Sequence, residues 1–163
     1  MGTSDYVRAL RAKVGHDLLF CPVVACIIRD EHERILLVRH VEGRGTLPAG
    51  AIDPGERPAD GARRECWEEA GILVQPLRVA GVFGGDPHFR GAYANGDQAA
   101  WVATVFEARI LSGGPAPSDD ESADVRWADP DEAFALELSP ATRWMLSRLL
   151  DGRSFDEATW RPA

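Results

Sequence analysis

The stretch that decides the fold is Gly50–Ile72, GAIDPGERPADGARRECWEEAGI. Its second half reads as a helix. Pro58 suits the first helical position, Asp60 complements the positive end of the dipole, and Gly71 is placed to stop the helix, which predicts a span of 58–70. At 100° per residue, Glu65, Glu68 and Glu69 occupy only about 100° of the circumference, so three carboxylates are predicted to converge on one edge. Ala62, Cys66 and Ala70 form the neighbouring apolar stripe, and Trp67 lies nearly opposite. The acidic edge therefore borders the buried side. Like charges at i,i+4 cost roughly 0.2–0.5 kcal/mol per pair even when exposed, and burial adds to that. A tight group of hard oxygen ligands suits Mg²⁺ or Mn²⁺, which also accept phosphate oxygens. A bare E-x-x-E-E is more often a solvated helix face, so the flanking residues carry the decision.

On the N-terminal side, 43–56 holds Gly43, Gly45, Gly50 and Gly55 with Pro48 and Pro54, the composition of a loop that turns sharply or approaches something closely. Before it, two runs rich in Val, Ile and Leu, Pro22–Arg29 and Arg34–Arg39, flank the polar Asp30-Glu31-His32-Glu33 and read as a hairpin. Ser4 or Asp5 is placed to cap a first helix with Val7, Leu10 and Val14 on one stripe, ended by Gly15, so residues 1–17 read as a helical appendage.

On the C-terminal side, Val74–Phe83 reads as a strand. The polar, glycine-rich 84–96 reads as a substrate loop, with a turn signal at Asn95-Gly96-Asp97. Ala99–Ile110 is apolar on both alternating faces, as in a strand covered on two sides. Val125-Arg126-Trp127 predicts a short strand, Asp129-Pro130 a short helix through Ala135, and Pro140 a last helix. The order implies an α/β fold with a mixed sheet between helices, in a single domain over 1–163.

Charge narrows the partners. Twenty-six acidic against 18 basic residues give a net charge of −8, which disfavours nucleic acid and repels any small polyanion unless cations or clustered arginines reverse the sign. The longest apolar run, Val23–Ile28, is too short to span a bilayer. No basic and apolar leader opens the chain, and three scattered cysteines fit reduced thiols, so a cytoplasmic protein is expected. Exposure of Trp67 or Trp160 would mark a homodimer face.

Read with its flanks, Gly50, Glu56, Arg64-Glu65-Cys66, Glu68-Glu69 and Gly71-Ile72 are similar at all nine specified positions to the Nudix box, G-x5-E-x7-R-E-U-x-E-E-x-G-U, where U is a bulky apolar residue. A chance match at a given start is on the order of one in a billion at average residue frequencies. Cys66 at a U position packs as a small hydrophobe. The lead-in 45–50, GTLPAG, resembles the family's W-x-L-P-G-G, with Gly45 for Trp and Ala49 for Gly. The hairpin, the later strands and the pattern from Glu121 through Trp127 to Glu132 extend the resemblance over about residues 18–150.

The resemblance implies the Nudix α/β/α sandwich and a Mg²⁺-dependent hydrolase, Mn²⁺ being the alternative ion. It would cut a diphosphate linkage in a nucleoside diphosphate derivative by attack of water on phosphorus. It places metal at Glu65, Glu68 and Glu69 with the carbonyl of Gly50, and makes Arg64 a brace for the loop through an acid such as Glu56, itself in either the inner or the outer ligand shell. Glu68 is the first candidate for the base and Glu121, in Asp119-Asp120-Glu121, the second. Arg39 and Arg44, with His40 between them, precede the glycine loop and are candidates for phosphate or ribose contact. His88, Phe89 and Tyr93 are candidates for a base or sugar pocket. Substrates left open are ADP-ribose, nucleotide sugars, dinucleoside polyphosphates and nucleoside triphosphates. The alternatives are a catalytically silent nucleotide sensor, which typically lacks box carboxylates, and an isoprenoid diphosphate isomerase, which needs a catalytic Cys and Glu in an apolar pocket.

Overall fold

Side chains alternate across the central strands and so divide the core into two clusters, one on each face of the sheet layer. The computed structural model describes residues 5–41, 43–93, 95–159 and 161. Its elements follow in the order α1 (Asp5–Val14), β1 (Leu19–Ile28), β2 (Ile35–His40), β3 (Gly45–Thr46), β4 (Ala49–Ala51), α2 (Pro58–Ala70), β5 (Leu73–Gly84), β6 (Arg90–Ala92), β7 (Gln98–Ser112), β8 (Ser122–Ala128), α3 (Pro130–Ala135) and α4 (Pro140–Leu150).

Val23, Ala25 and Ile27 of β1 and Ile35 and Leu37 of β2 pack with Ala133 of α3 and Ala141, Met145 and Leu146 of α4. Val24, Cys26 and Ile28 of β1 and Leu36 and Val38 of β2 pack with Ala62, Cys66 and Ala70 of α2. The predicted mixed sheet between helices is therefore present. One sheet has the order β4-β1-β7-β5, with β6 on β7, and the other has the order β3-β2-β8. Among the described residues no helix is long and apolar enough to cross a membrane.

The predicted hairpin is not formed as such. β1 pairs in parallel with β7 along its whole length, Leu19–Ile28 against Ala99–Ala108, and antiparallel with β4. β2 instead joins β3 and β8, and a single bridge, Arg29 to Ile35, links the two arms. Both runs are apolar on both faces, so their alternation marks burial and leaves the pairing partner unspecified. Between them the turn is built on Asp30, whose carboxylate accepts from the backbone N–H of His32 and Arg34 and pairs with the Arg34 guanidinium, while Glu33 takes a left-handed φ of 60°.

Other expectations also shift. Arg90–Ala92 adds a short strand to β7, so the expected substrate loop is partly sheet, and Phe89 is buried in the α4-side core. The first helix is tied less by its apolar stripe, whose Val14 is exposed, than by Arg11, which donates to the carbonyls of Asp17 (2.6 Å) and Gln98 (2.7 Å). Ser4 and the Asp5 side chain, expected as a helix cap, and Trp160, expected as a dimer marker if exposed, lie outside the described residues.

Candidate active site

α2 covers the residues predicted for it, Pro58–Ala70, and ends on Gly71 in the left-handed conformation (φ 64°), whose N–H caps the Trp67 carbonyl. The loop after β7 closes this end further: the Ala116 N–H donates to the Ala70 carbonyl. Burial of Ala62, Cys66 and Ala70 against β1 fixes the rotation of the helix and turns Glu65 and Glu69 inward, leaving them 5% and 2% exposed.

Opposite them lies β4, paired so that Gly50 sits beside Val24. The Glu65 carboxylate fills the space in front of Gly50: a Cβ there would stand 2.0 Å from Oε1. That approach is what requires glycine at this position. One residue earlier, the Ala49 N–H donates to Glu69 Oε2 (3.0 Å). The other oxygen, Oε1, is buried with no hydrogen-bond partner among the described residues. Burial raises the pKa of Glu65. It raises that of Glu69 to about 8, against the Ala49 hydrogen bond, with the charges of Glu65 and Asp119 adding to the rise.

Arg64 uses all five of its N–H donors. Nε and Nη2 grip the two oxygens of Glu56 (2.9 and 3.0 Å), Nη2 also donates to the Ala51 carbonyl (2.9 Å), and Nη1 donates to Glu65 (2.7 Å) and Glu68 (3.0 Å). The guanidinium holds Glu56 below the usual carboxylate range, and Glu56 in turn raises the pKa of Arg64. Glu56 also accepts from the Asp53 N–H, which closes the turn ahead of the helix.

The predicted convergence of three carboxylates is thus only partial. Glu65 and Glu69 are buried, whereas Glu68 stays largely exposed on Arg64, and among the described residues no three acidic, His or Cys groups form a ready cage. The donors still fit a hard cation: two buried carboxylates, one with an unused oxygen, stand against a glycine strand, and Glu68 follows on the same helix, held by Arg64.

The other candidates fall in separate places. Glu121 is half-buried, its carbonyl accepting from the Val41 N–H, and it precedes Ser122, which lies opposite His40 in the sheet. Arg39 faces away from α2 and lines a cavity of about 170 Å³ with Leu37, Gly45, Arg126, Leu136 and Glu137. Arg44 is exposed in the tight turn, where its carbonyl accepts from the His40 N–H. His88 stacks on Trp144 of α4 (4.2 Å between ring centroids), and Tyr93 sits in the β6–β7 turn, its N–H on the Asp97 carbonyl. Arg39, Arg44, His88 and Tyr93 thus sit on β2, in the turn before β3, against α4 and in the β6–β7 turn. Residue-type reasoning underrated His40, which lies 3.8 Å from Glu69 Oε1 and is bonded to Thr46; its signal was parity, since His40 continues the Leu36 and Val38 face of β2.

Comparison with known proteins identifies the family and the fold. A family model described as NUDIX domain matches residues 19–149. A "MutT-like protein" of Streptomyces ambofaciens is 36% identical over 110 residues, covering 67% of this chain and 64% of that protein. The mouse "8-oxo-dGDP phosphatase NUDT18" is 34% identical over 114 residues, 66% of this chain and 32% of that one. The chain thus spans from about a third to just under two thirds of the length of these two relatives. Among solved structures, the MutT protein of Methanosarcina mazei superposes with a TM-score of 0.69 at 24% identity, over 83% of this chain and 96% of that one, a likeness of fold.

Proposed function

The chain belongs to the NUDIX domain family, and on that premise we propose that it is a metal-dependent hydrolase that cleaves a diphosphate linkage in a nucleoside diphosphate derivative, by attack of water on phosphorus. The observation that carries this reading is the buried Glu65–Glu69 pair at Gly50, with Glu69 Oε1 unpartnered. At a net charge of −8 a divalent cation held here would offset the repulsion of a polyphosphate, and the Arg64 donors are already used.

Glu65, Glu69 and, after leaving Arg64, Glu68 would hold Mg²⁺, or Mn²⁺ in its place, with the Gly50 carbonyl as a further oxygen. The bound ion supplies charge neutralisation on the phosphoryl oxygens and acidifies water. Arg64 and Glu56 keep the loop and helix in register. Glu68, exposed at the rim, is the first candidate to accept the proton of the attacking water, and Glu121 is the second. A nucleoside diphosphate substrate is supported by the name of the mouse relative, and a nucleoside triphosphate, ADP-ribose-like or nucleotide-sugar substrate is the other arm of the same class.

A chromatographic screen for nucleoside monophosphate and its co-product over nucleoside di- and triphosphates, ADP-ribose and nucleotide sugars, run with Mg²⁺, Mn²⁺ and a chelator, tests the reading. Turnover of at least one compound, abolished by the chelator, is expected. Ligand-induced thermal stabilisation without product from any compound would instead make the chain a sensor.

Gly50→Ala gives a local check. The added Cβ must push back the Glu65 carboxylate, which Arg64 tethers from behind. A displacement of about 1 Å at a reacting centre costs on the order of 10²-fold in rate. Loss of that size in kcat/KM with cooperative unfolding retained is the expected result, and unchanged kcat/KM would remove Gly50 from the site.

A further inference from the structure

His40 closes β2, and its backbone is fixed on both sides: its N–H donates to the Arg44 carbonyl and its carbonyl accepts from the Gly43 N–H. Its side chain continues the Leu36 and Val38 face and so points to the last turn of α2. There the imidazole is largely buried, with Nε2 placed between two oxygens, 2.9 Å from Thr46 Oγ1 and 3.8 Å from Glu69 Oε1. The second distance is beyond a hydrogen bond, and Oε1 is the atom left buried without a partner.

Resting on the hydrolase reading above, we propose that His40 is a positioning residue for Glu69: its Nε2–H swings from Thr46 Oγ1 to Glu69 Oε1 when that carboxylate takes up a divalent cation, and so sets the affinity of the metal site. The contrast between the two carboxylate oxygens supports this. Oε2 is fixed by the rigid backbone N–H of Ala49, so the carboxylate can pivot only about that bond, and a small rotation brings Oε1 within reach of Nε2. Thr46 lies on β3, paired with Val38, and its hydroxyl serves as the parking acceptor. Ligand carboxylates and histidines are commonly oriented by such outer hydrogen bonds, and losing one weakens metal affinity by about 10- to 100-fold.

The test uses the full chain and three variants, His40→Ala, His40→Gln and Thr46→Val, with two readouts: direct titration of Mn²⁺ into substrate-free protein, and turnover as a function of Mg²⁺ concentration. His40→Ala is expected to raise the metal dissociation constant and the half-maximal Mg²⁺ concentration about tenfold, with kcat at saturating metal changed less than threefold. His40→Gln, which offers an amide N–H near the place of Nε2, is expected to recover most of the affinity. Thr46→Val, which removes the parking acceptor, should bind metal at least as tightly as the parent. Metal affinity unchanged in His40→Ala, or His40→Gln no better than His40→Ala when both unfold cooperatively, overturns the role of His40 and leaves the hydrolase reading standing. No metal binding or metal-dependent turnover in the parent overturns both.

Discussion

Glu69→Gln is expected to lower metal-dependent turnover about 10²–10⁴-fold, because a Lewis acid contributes several kcal/mol to such a reaction and each 1.36 kcal/mol is a factor of ten. Glutamine has the same shape, and its amide can keep accepting from the Ala49 N–H, so the fold should be untouched. The same variant has a second signature, in the metal-free protein. Glu69 is raised by burial to about 8 in the fold, from an ordinary 4.5 when unfolded. Above pH 4.5 the unfolded chain therefore binds fewer protons at this position than the native one, and stability falls as pH rises. The contribution of the protonated carboxyl is complete below about pH 4.5 and lost through about pH 8. Chelator-treated parent protein should lose melting temperature across that window, and Glu69→Gln should lose less. Saturating Mg²⁺ should flatten the slope in the parent. Full turnover in Glu69→Gln, or identical pH slopes, would remove Glu69 from the metal site.

The second large effect is on stability. Arg64→Met removes a guanidinium whose five donors serve Glu56, Ala51, Glu65 and Glu68, and strands Glu56 and Glu65 in poorly solvated positions. Breaking a buried ion pair costs about 3–5 kcal/mol, and discounting for the exposed Glu68 arm leaves about 2–4 kcal/mol. For a chain of this length that is a fall in Tm of roughly 5–15 °C. Arg64→Lys keeps the charge but has three donors and no planar fork, so an intermediate loss is expected. Denaturant titration monitored by circular dichroism decides this. If Arg64→Met unfolds at the midpoint of the parent, the network contributes nothing and the loop is held by other contacts.

Much of this site was legible before any coordinates. The spacing of Pro58, Asp60 and Gly71 located the helix at about 58–70, where α2 runs from Pro58 to Ala70, because capping chemistry is local. The apolar positions at Ala62, Cys66 and Ala70 determined which edge carries the carboxylates, because an α-helix must bury its stripe. What the sequence could not supply was distance between elements. The same E-x-x-E-E places one carboxylate in water and two in the interior, since only Arg64 and β4 decide which rotamers are filled. The four candidate substrate residues were chosen for their chemistry on loops, yet His88 is taken up by Trp144 and Arg39 by the opposite face of β2.

The sequence by itself determined the Gly50–Ile72 loop and helix, its carboxylates and the family, since these rest on local spacing and nine matched positions. Only the tertiary structure decided that β1 runs parallel to β7 instead of folding back on β2, and that His40, bonded to Thr46, lies beside Glu69. The physical reason is common to both: a strand that is apolar on two faces and a histidine at a strand end carry no local signal of their partner, which is set by long-range pairing.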